Sequence, residues 1–466
     1  MLFRSEARGD TAQLLNAVQP QVSAAMNELL LREFTREEIH DALENIGDLK
    51  VPGPDGMPSI FYKNFWEVVG EKVTKEVLDF LNGGEMARGW NDTVISVIPK
   101  VKVPERVTEL RPISLCNVTY KLISKVLANR LKKILDEIIS PSHSAFVPGR
   151  LISDNILVAY EVTHYMMNKR VGDTGFAAIK LDMSKAYDKV EWHFLRDMMT
   201  RMGFDQRWIS LIMKCVMSVS YKIKVNGILS EAFVPERGLR QGDPLSPYLF
   251  LICAEGFSAL LHQAEMDGSI KGVKICPNAP SISHLLFADD SLLLIRARRE
   301  DAVKLQGILD LYESVSVQVI NKDKSAVMFS KNTQQRDRVA VRQIMAINRE
   351  IDNERYLGLR VHVGQPVVKT FAYLKDIIWK RIQGWTEKLL SKAGKEILIK
   401  SVAQAIPTFA MCCFDISKTL CSQISSMIAR YWWSKQDKDK GFTLVELGKA
   451  SPTQKRRTGV QGYSCL

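Results

Sequence analysis

The chain has 466 residues, of which 46% are hydrophobic and 25% are charged. This composition is typical of folded soluble proteins and excludes a disordered or fibrous class, and the length predicts two or three packed units. Lysine and arginine together number 64 against 52 acidic residues, a formal net charge of +12. Such a charge favours polyanionic partners such as nucleic acid, although a basic ribosomal protein or a membrane-surface protein would carry it equally well.

The cysteines and the hydropathy pattern indicate where the chain resides. The eight cysteines form neither C-x-x-C pairs nor groups with histidines at zinc spacing, which favours reduced thiols in an intracellular protein. The first ten residues lack the apolar run of a signal peptide. The most apolar stretch, residues 245–261, is interrupted by Ser246, Pro247 and Glu255, so we expect no membrane-spanning segment.

The N-terminal part of the chain is predicted to be helical. Thr35 and Glu38 have the spacing of a capping box, at the start of a helix that ends before Gly47. Proline and glycine in residues 50–56 then predict a rigid, non-helical connection, either a phosphate-facing loop or a plain interdomain turn. In residues 57–170 the pattern is again mostly helical.

Asp182 closes a strand-like segment, residues 176–182. Period-2 alternation places Lys180 and Asp182 on one face of this strand and three apolar residues on the other. Helical spacing resumes at Ser184, which places Asp182 at the rim of a sheet, where a strand passes into a helix. A carboxylate at such a rim can reach a bound metal.

Two further strand-like segments, within residues 284–295, flank Asp289 and Asp290, and a shorter strand is predicted at residues 221–225. We predict a tight hairpin with both carboxylates at its tip. Adjacent acids in an apolar setting repel each other, so a bound cation or a protonated carboxyl group must compensate them. Together with Asp182 they could hold the two magnesium ions of phosphoryl transfer. The alternative is an ordinary polar turn.

Between the acidic segments, residues 237–250 combine glycine and proline with the start of a long apolar helix. Gly238 and Gly242 permit close approach of the backbone to a ligand, and Asp243 or Ser246 can cap the helix. The alternative is an ordinary loop and helix start.

The order of three motifs carries a family resemblance. The motifs are Asp182 followed by Tyr187, then Arg-Gln-Gly-Asp-Pro-Leu-Ser-Pro at residues 240–247, then Phe-Ala-Asp-Asp at residues 287–290. In this order they resemble the palm motifs of reverse transcriptases and are similar to those of plant non-LTR (LINE-type) retrotransposons. Further matching segments extend the resemblance over residues 30–433; they lie at residues 50–56, 110–115, 146–150, 154–155, 318–325 and 356–359.

The resemblance implies an α+β fold of the right-hand polymerase class, with fingers, a palm that has an antiparallel sheet, and a helical thumb. The implied domains are a helical N-terminal extension (residues 1–90), a reverse transcriptase domain of fingers and palm (91–362), a helical thumb-like region (363–433) and a tail (434–466) that we expect to be disordered. The implied activity is RNA-directed DNA synthesis by two-metal nucleotidyl transfer, with Mg2+ or Mn2+ as cofactor. The implied partners are an RNA template, a DNA primer and deoxynucleoside triphosphates, with no membrane.

Residue by residue, the resemblance makes Asp182 and Asp289 the principal metal ligands, with Asp290 in support. Lys324 stands where the family has a lysine that protonates the leaving pyrophosphate. An ordinary surface lysine is the alternative for this residue.

The resemblance also implies the residues that bind substrate. Arg111 would hold the incoming triphosphate as a bidentate partner, and Gln241 and Gly242 would lie beside the nascent base pair and its sugar. Tyr187 would be the aromatic gate that excludes a ribose 2′-hydroxyl. The alternative for Tyr187 is a helix residue that packs into the core.

Several positions depart from the family pattern, which has glutamine where His143 stands, glycine at Val317 and proline at Arg360. These departures, and the loss of the pattern after about Ser434, leave open a truncated and catalytically inactive nucleic-acid-binding relic. A group II intron maturase or a telomerase-type polymerase is a further alternative. We expect that the chain begins too late to contain the endonuclease that such elements carry upstream. An intracellular location, in the nucleus or in a cytoplasmic ribonucleoprotein, is inferred from the life cycle of such elements.

Overall fold

The computed structural model describes residues 3–5, 9–184, 186–350, 355–360, 367–386 and 390–434. The chain divides into two compact units. The first comprises Met1–Ile152 and Tyr165–Ile351, and the second comprises Ser153–His164 and Asp352–Leu466. The predicted domain limits at residues 90, 362 and 433 stay predictions, and the predicted tail lies, after Ser434, outside the described residues.

Up to residue 351 the described part of the chain forms thirteen α-helices, one short 3-10 helix (Val107–Glu109) and eight strands, with α8 shared by both units. The helices are α1 (Ala12–Ala17), α2 (Ala24–Leu31), α3 (Arg36–Glu44), α4 (Ser59–Asn64), α5 (Trp66–Leu81), α6 (Val118–Leu131), α7 (Leu135–Ile138), α8 (Ile152–Asn168), α9 (Trp192–Met202), α10 (Gln206–Met217), α11 (Ser246–Met266), α12 (Arg299–Ser316) and α13 (Gln335–Met345). The strands are β1 (Asp92–Pro99), β2 (Leu110–Cys116), β3 (Phe176–Asp182), β4 (Ser220–Val225), β5 (Ile228–Leu229), β6 (His284–Phe287), β7 (Asp290–Arg296) and β8 (Ala326–Phe329).

The predicted capping box at the start of α3 is confirmed. The Glu38 backbone N–H donates to Thr35 Oγ1 at 3.3 Å, and the Thr35 N–H donates to Glu38 Oε2 at 3.2 Å. The helix ends at Glu44, before Gly47, as predicted. Arg130 of α6 lies with Nη2 2.7 Å from Glu38 Oε2, so the same carboxylate that caps α3 also ties it to α6.

The proline- and glycine-rich connection at residues 50–56 packs against the start of α6. A Cβ atom at Gly53 would collide with the side chain and backbone of Asn117, which explains the need for glycine there. The Asp55 N–H donates to Asn117 Oδ1 at 3.2 Å, and Lys121 Nζ donates to the Val51 carbonyl at 3.2 Å. The connection is therefore held inside the first unit by side chains of α6 and of the residue before it.

The first sheet has the strand order β2-β1-β4-β5. β1 pairs antiparallel with β2 and parallel with β4. The predicted strand at residues 221–225 is confirmed as β4, whereas the mostly helical pattern predicted for residues 57–170 missed β1 and β2. The parallel partner of Asp92 is Ser220, and no local pattern reports a pairing between residues so far apart.

The second sheet has the strand order β6-β7-β3-β8, and all of its pairs are antiparallel. β3 is central, and its residues Ala177, Ile179 and Leu181 are buried in the core, as the alternation predicted. The apolar stretch at residues 245–261 lies in α11, most of whose residues are buried. Helices combined with antiparallel sheets confirm the predicted α+β polymerase class.

The second unit is largely helical in its described part. Its elements after residue 352 are β9 (Arg355–Tyr356), β10 (Leu359–Arg360), α14 (Val367–Thr386), α15 (Lys392–Leu398), a π-helical turn (Ile399–Ala403), α16 (Ala405–Cys413) and α17 (Lys418–Trp433). α14 packs against α17, where the rings of Trp385 and Tyr431 lie 5.7 Å apart. The helical character predicted for this part of the sequence is thus present between residues 367 and 433.

One helical segment of the described chain, Lys392–Cys413, is long and apolar enough to cross a membrane by length and composition. A single segment of this kind is a weak indication, because core helices of soluble proteins have the same length and composition. The expectation that no segment spans a membrane stays a prediction.

The positions that depart from the family pattern lie at structurally demanding places. Val317 ends α12 with a φ of +57°, a left-handed conformation that suits glycine and strains a β-branched residue. Arg360 closes β10, and its side chain lies outside the described residues. His143 is fully buried, and neither of its ring nitrogens has a hydrogen-bond partner among the residues that the structure describes.

His143 and His284 are both held neutral by burial. Burial lowers the pKa of His143 to about 3, with His284 and Arg150 adding to the shift. Burial also lowers the pKa of His284 to about 4, although the hydroxyls of Ser258 and Ser283 lie within hydrogen-bond distance of its ring. Two neutral imidazoles are therefore part of the folded state at physiological pH.

We predict that acid destabilises the first unit through these histidines. In the unfolded chain a histidine has a pKa of about 6.5, so below that pH the unfolded chain binds protons that the folded chain excludes. The free energy of unfolding therefore decreases as the pH falls from about 6.5 towards 4. Between pH 6.5 and 5 the loss is about 2 kcal/mol for each histidine. Urea unfolding, followed by tryptophan fluorescence at pH 7, 6 and 5, measures it.

The free energy of unfolding of His143→Gln should depend less steeply on pH than that of the wild type, because the variant takes up about one proton fewer when it unfolds in that pH range. The matched control is His193→Gln, because His193 is exposed on α9. An unchanged pH slope in His143→Gln would show that His143 is not the group responsible.

Candidate active site

The hairpin of β6 and β7 carries the first pair of acids, one in its turn and one at the start of β7. Phe287 pairs with Asp290, so Ala288 and Asp289 form the turn, as predicted. Ala288 has a φ of +54°, a left-handed conformation that non-glycine residues rarely adopt. Backbone strain of this kind concentrates at functional sites, where the surrounding structure enforces it.

The pairing of β3 with β7 brings the third acid to the same place. Asp182, the last residue of β3, is the cross-strand partner of Asp290, the first residue of β7. The side chains of Asp182 and Asp290 are 38% and 36% exposed. Three carboxylates thus share one edge of the sheet and remain open to ligands from solvent.

Two lysines lie against these carboxylates. Lys180 Nζ is 3.9 Å from Asp290 Oδ1, and Lys324 Nζ is 4.0 Å from Asp182 Oδ2. The loop that carries Lys324 is joined to β3, because the Asn321 N–H donates to the Asp182 carbonyl at 2.8 Å. The proton-donor role predicted for Lys324 stays a prediction, but its position beside Asp182 is established.

The electrostatics of the site favour a bound cation. Burial raises the pKa of Asp182, and Asp289 adds to the rise, while nearby lysines, Lys324 first, oppose it. Burial also raises the pKa of Asp290; Lys180 opposes this rise, and the other two carboxylates add to it. The lysines therefore compensate the clustered negative charge incompletely.

The carboxylates fit a divalent metal in chemistry, although they do not form a complete cage. Among the described residues, no group of three or more His, Cys, Asp or Glu side chains converges closely enough to hold a metal alone. Mg2+ prefers oxygen ligands and is usually held by one or two carboxylates together with substrate phosphates. Half-exposed acids at a sheet edge suit a metal whose remaining ligands come from a nucleotide.

Tyr187 lies close to this edge with its ring fixed by stacking. The ring is half-buried and stacks on Phe250, with 5.0 Å between centroids and an interplanar angle of 14°. Burial raises the pKa of the Tyr187 hydroxyl, and the charge of Asp289 adds to the rise. The ring thus packs on a core residue and also lies within electrostatic reach of the acids, and its gate role stays a prediction.

The loop with Gln241 and Gly242 contacts β2, the strand that carries Arg111. The Ser114 N–H donates to the Gln241 carbonyl at 2.8 Å. Gly242 has a φ of +111°, and a Cβ atom there would lie 3.1 Å from the Ser114 carbonyl oxygen, so glycine is required. The Arg111 side chain is exposed on β2. The predicted triphosphate and base-pair residues therefore come from two contacting segments.

A buried ion pair holds this loop, and sequence reasoning missed it. Arg240 Nη2 lies 3.1 Å from Asp243 Oδ2, and both side chains are 4% exposed. Arg240 also donates to Asn91 Oδ1 and to the Cys215 carbonyl, and it lies 3.9 Å above the ring of Tyr120. The i, i+3 spacing of opposite charges was the one available signal.

The capping prediction for α11 is corrected by the same network. The helix begins at Ser246, and Leu245 at its N-cap position makes no side-chain cap. Asp243 instead accepts from the Leu245 N–H at 3.1 Å and from the Tyr120 hydroxyl at 3.0 Å. Its carboxylate is therefore engaged with Arg240 and the loop and does not cap the helix.

We predict that Arg240→Met lowers the free energy of unfolding by about 3–5 kcal/mol, because it leaves Asp243 buried without its counter-charge. Urea unfolding measures this loss. The matched control is Arg207→Met, which removes an exposed pair with Asp205 and should change stability by less than about 1 kcal/mol. Equal losses in the two variants would contradict the structural role of the buried pair.

Residues 98–361 match the family described as reverse transcriptase (RNA-dependent DNA polymerase). The match covers more than half of the 466 residues and includes Asp182, Tyr187, Asp289 and Asp290. The chain therefore belongs to the reverse transcriptase family.

The chain is similar to proteins of two transposable elements and to one uncharacterized mitochondrial protein. The chain is 26% identical to the transposon TX1 uncharacterized 149 kDa protein of Xenopus laevis, over 96% of this chain and 33% of that protein. It is 26% identical to the Pol polyprotein of the type-2 retrotransposable element R2DM of Drosophila melanogaster, over 66% of this chain and 28% of the polyprotein. It is 51% identical to the uncharacterized mitochondrial protein AtMg01250 of Arabidopsis thaliana over 67 residues. These 67 residues are 14% of this chain and 55% of that protein.

These relatives confirm the resemblance to reverse transcriptases of non-LTR retrotransposons. The chain spans about a third or less of the length of the TX1 and R2DM proteins.

Proposed function

We propose that this chain is an RNA-directed DNA polymerase that extends a DNA primer on an RNA template by two-metal nucleotidyl transfer. The observation that carries the proposal is the edge of the second sheet, where Asp182, Asp289 and Asp290 meet. Membership of the reverse transcriptase family supports RNA, DNA and deoxynucleoside triphosphates as the substrates. The life cycle of such elements supports an intracellular location, in the nucleus or in a cytoplasmic ribonucleoprotein.

The metal ligands of the proposed mechanism are Asp182 and Asp289, with Asp290 in support. Bound Mg2+ or Mn2+ would activate the primer 3′-hydroxyl and stabilise the charge on the leaving pyrophosphate. The strained turn at Ala288 fixes the direction in which Asp289 and Asp290 leave the hairpin. Asp182 and Asp289, the two principal ligands, would thus be positioned before substrate arrives, which reduces the reorganisation required during reaction.

The remaining residues bind and orient the substrates. Arg111 would bind the triphosphate through its planar guanidinium, and Lys324, beside Asp182, would hold a proton for the departing pyrophosphate. The backbone at Gly242 allows the nascent base pair and sugar to approach the loop closely, with Gln241 beside them. Tyr187 would lie under the incoming sugar and exclude a 2′-hydroxyl by contact with its ring.

Asp289→Asn is predicted to abolish primer extension on an RNA template while leaving folding and RNA binding nearly unchanged. The substitution keeps the size of the side chain but removes a charged metal ligand, so we expect a loss of at least about a hundredfold. Extension with purified protein, with and without Mg2+, measures the effect, and filter binding measures RNA affinity.

The matched control for that variant is Asp310→Asn, because Asp310 is an exposed acid on α12. Wild-type activity in Asp289→Asn would refute the assignment of the metal site. A wild-type protein that folds and binds RNA but extends no primer would instead indicate the inactive relic.

Tyr187→Ala is predicted to increase incorporation of ribonucleotides relative to deoxynucleotides by roughly tenfold or more, about 1.4 kcal/mol of lost discrimination. Tyr187→Phe keeps the ring and should keep the selectivity. Single-nucleotide insertion with each triphosphate gives the ratio of kcat/KM values. If Tyr187→Ala keeps the wild-type ratio, the ring packs on Phe250 without selecting the sugar.

A further inference from the structure

Lys180 is a cation built into the strand that carries Asp182. The two residues lie two positions apart in β3, so their side chains leave the same face of the sheet. The Lys180 side chain is only 22% exposed, so it does not extend freely into solvent. The strand therefore places the positive charge of Lys180 beside the three carboxylates.

The strand register brings Lys180 to Asp290. Asp182 faces Asp290 across the β3–β7 pair, so Lys180 is diagonal to Asp290. Diagonal neighbours lie within reach of a long side chain, and the Lys180 ammonium is 3.9 Å from Asp290 Oδ1. The direct cross-strand partners of Lys180 are Leu292 and Ala326, and neither carries a charge.

The two lysines at the site differ in how firmly they are held. Lys324 belongs to a loop, and its side chain is 69% exposed, so solvent screens its charge. Lys180 belongs to a central strand and is mostly shielded, so its effect on Asp290 is less screened. Lys100 also acts electrostatically on Asp182, although less strongly than Lys324 and Lys180.

We propose that Lys180 is a positioning residue of the metal centre: its ammonium group pairs with Asp290 and keeps that carboxylate out of the metal-ligand set in the nucleotide-free enzyme. Metal binding is then weak until the phosphates of a nucleotide supply further oxygen ligands. This inference rests on the proposed polymerase function. It makes metal entry dependent on substrate, so the free enzyme holds little metal.

The test is Mn2+ binding to the full chain without nucleotide, measured by electron paramagnetic resonance. Binding that disappears in Asp289→Asn is counted as binding at this site. Lys180→Gln and Lys180→Met should bind Mn2+ roughly three- to tenfold more tightly than the wild type, because Asp290, released from its ion pair, can join the metal ligands. Lys180→Arg, which keeps the charge, and Lys72→Gln, which removes an exposed lysine on α5, should match the wild type.

A second comparison tests whether Lys180 acts through Asp290. In the Asp290→Asn background the carboxylate is gone, so Lys180→Gln should shift the Mn2+ dissociation constant little or not at all. An equal shift in both backgrounds would overturn the assignment to Asp290. Far-UV circular dichroism of each variant establishes that the compared proteins are folded.

Unchanged or weaker Mn2+ binding by both folded charge-removing variants overturns the inference, as does absence of binding at millimolar Mn2+. The proposed function is judged separately, by primer extension with the wild-type protein. Suppose that the wild type extends the primer, that Asp289→Asn does not, and that Lys180→Gln binds Mn2+ with unchanged affinity. This combination would reject the role of Lys180 and leave the polymerase assignment intact.

Discussion

The antiparallel pairing of β3 with β7 fixes Asp182 opposite Asp290, and the rest of the site depends on that register. A slip of one residue would turn Asp182 towards the packed face and bury it among apolar side chains. Ala177, Ile179 and Leu181 prevent the slip, because they fill the core from the other face. The hydrophobic pattern of one strand therefore determines where three carboxylates meet.

Clustered negative charge opposes folding at this edge, and the structure offsets it locally. Lys180 and Lys324 lie about 4 Å from two of the carboxylates, and burial still raises the pKa of Asp182. The loop that carries Gln241 and Gly242 is held separately, by the buried pair of Arg240 and Asp243. A site that binds a metal and a nucleotide requires support of this kind from the residues behind its ligands.

Local sequence patterns predicted the parts of the fold that depend on neighbouring residues. Alternation predicted β3, apolar runs around two acids predicted the β6–β7 hairpin, and motif order predicted the family. The same patterns missed β1 and β2, because β1 pairs in parallel with a distant strand. They also missed the contacts of Arg240, whose partners Asn91, Cys215 and Tyr120 lie far away in the chain. The prediction that Asp243 or Ser246 caps α11 was wrong, because Ser246 is already the first residue of the helix and Asp243 pairs with Arg240, a contact that was not visible in sequence.

The proposed polymerase requires that the carboxylates at the end of β3 and at the β6–β7 turn bind the catalytic metal. With ascorbate and hydrogen peroxide added, Fe2+ bound in place of Mg2+ reduces the peroxide to hydroxyl radicals, and ascorbate returns the Fe3+ to Fe2+. The radicals cut the backbone beside the metal ligands, so the cut sites report where metal binds in the complex with primer, template and nucleotide. The account predicts fragments that end near Asp182 and near Asp289, suppressed by excess Mg2+ and absent in Asp289→Asn. Cuts confined to other parts of the chain, or unchanged cuts in that variant, would contradict it.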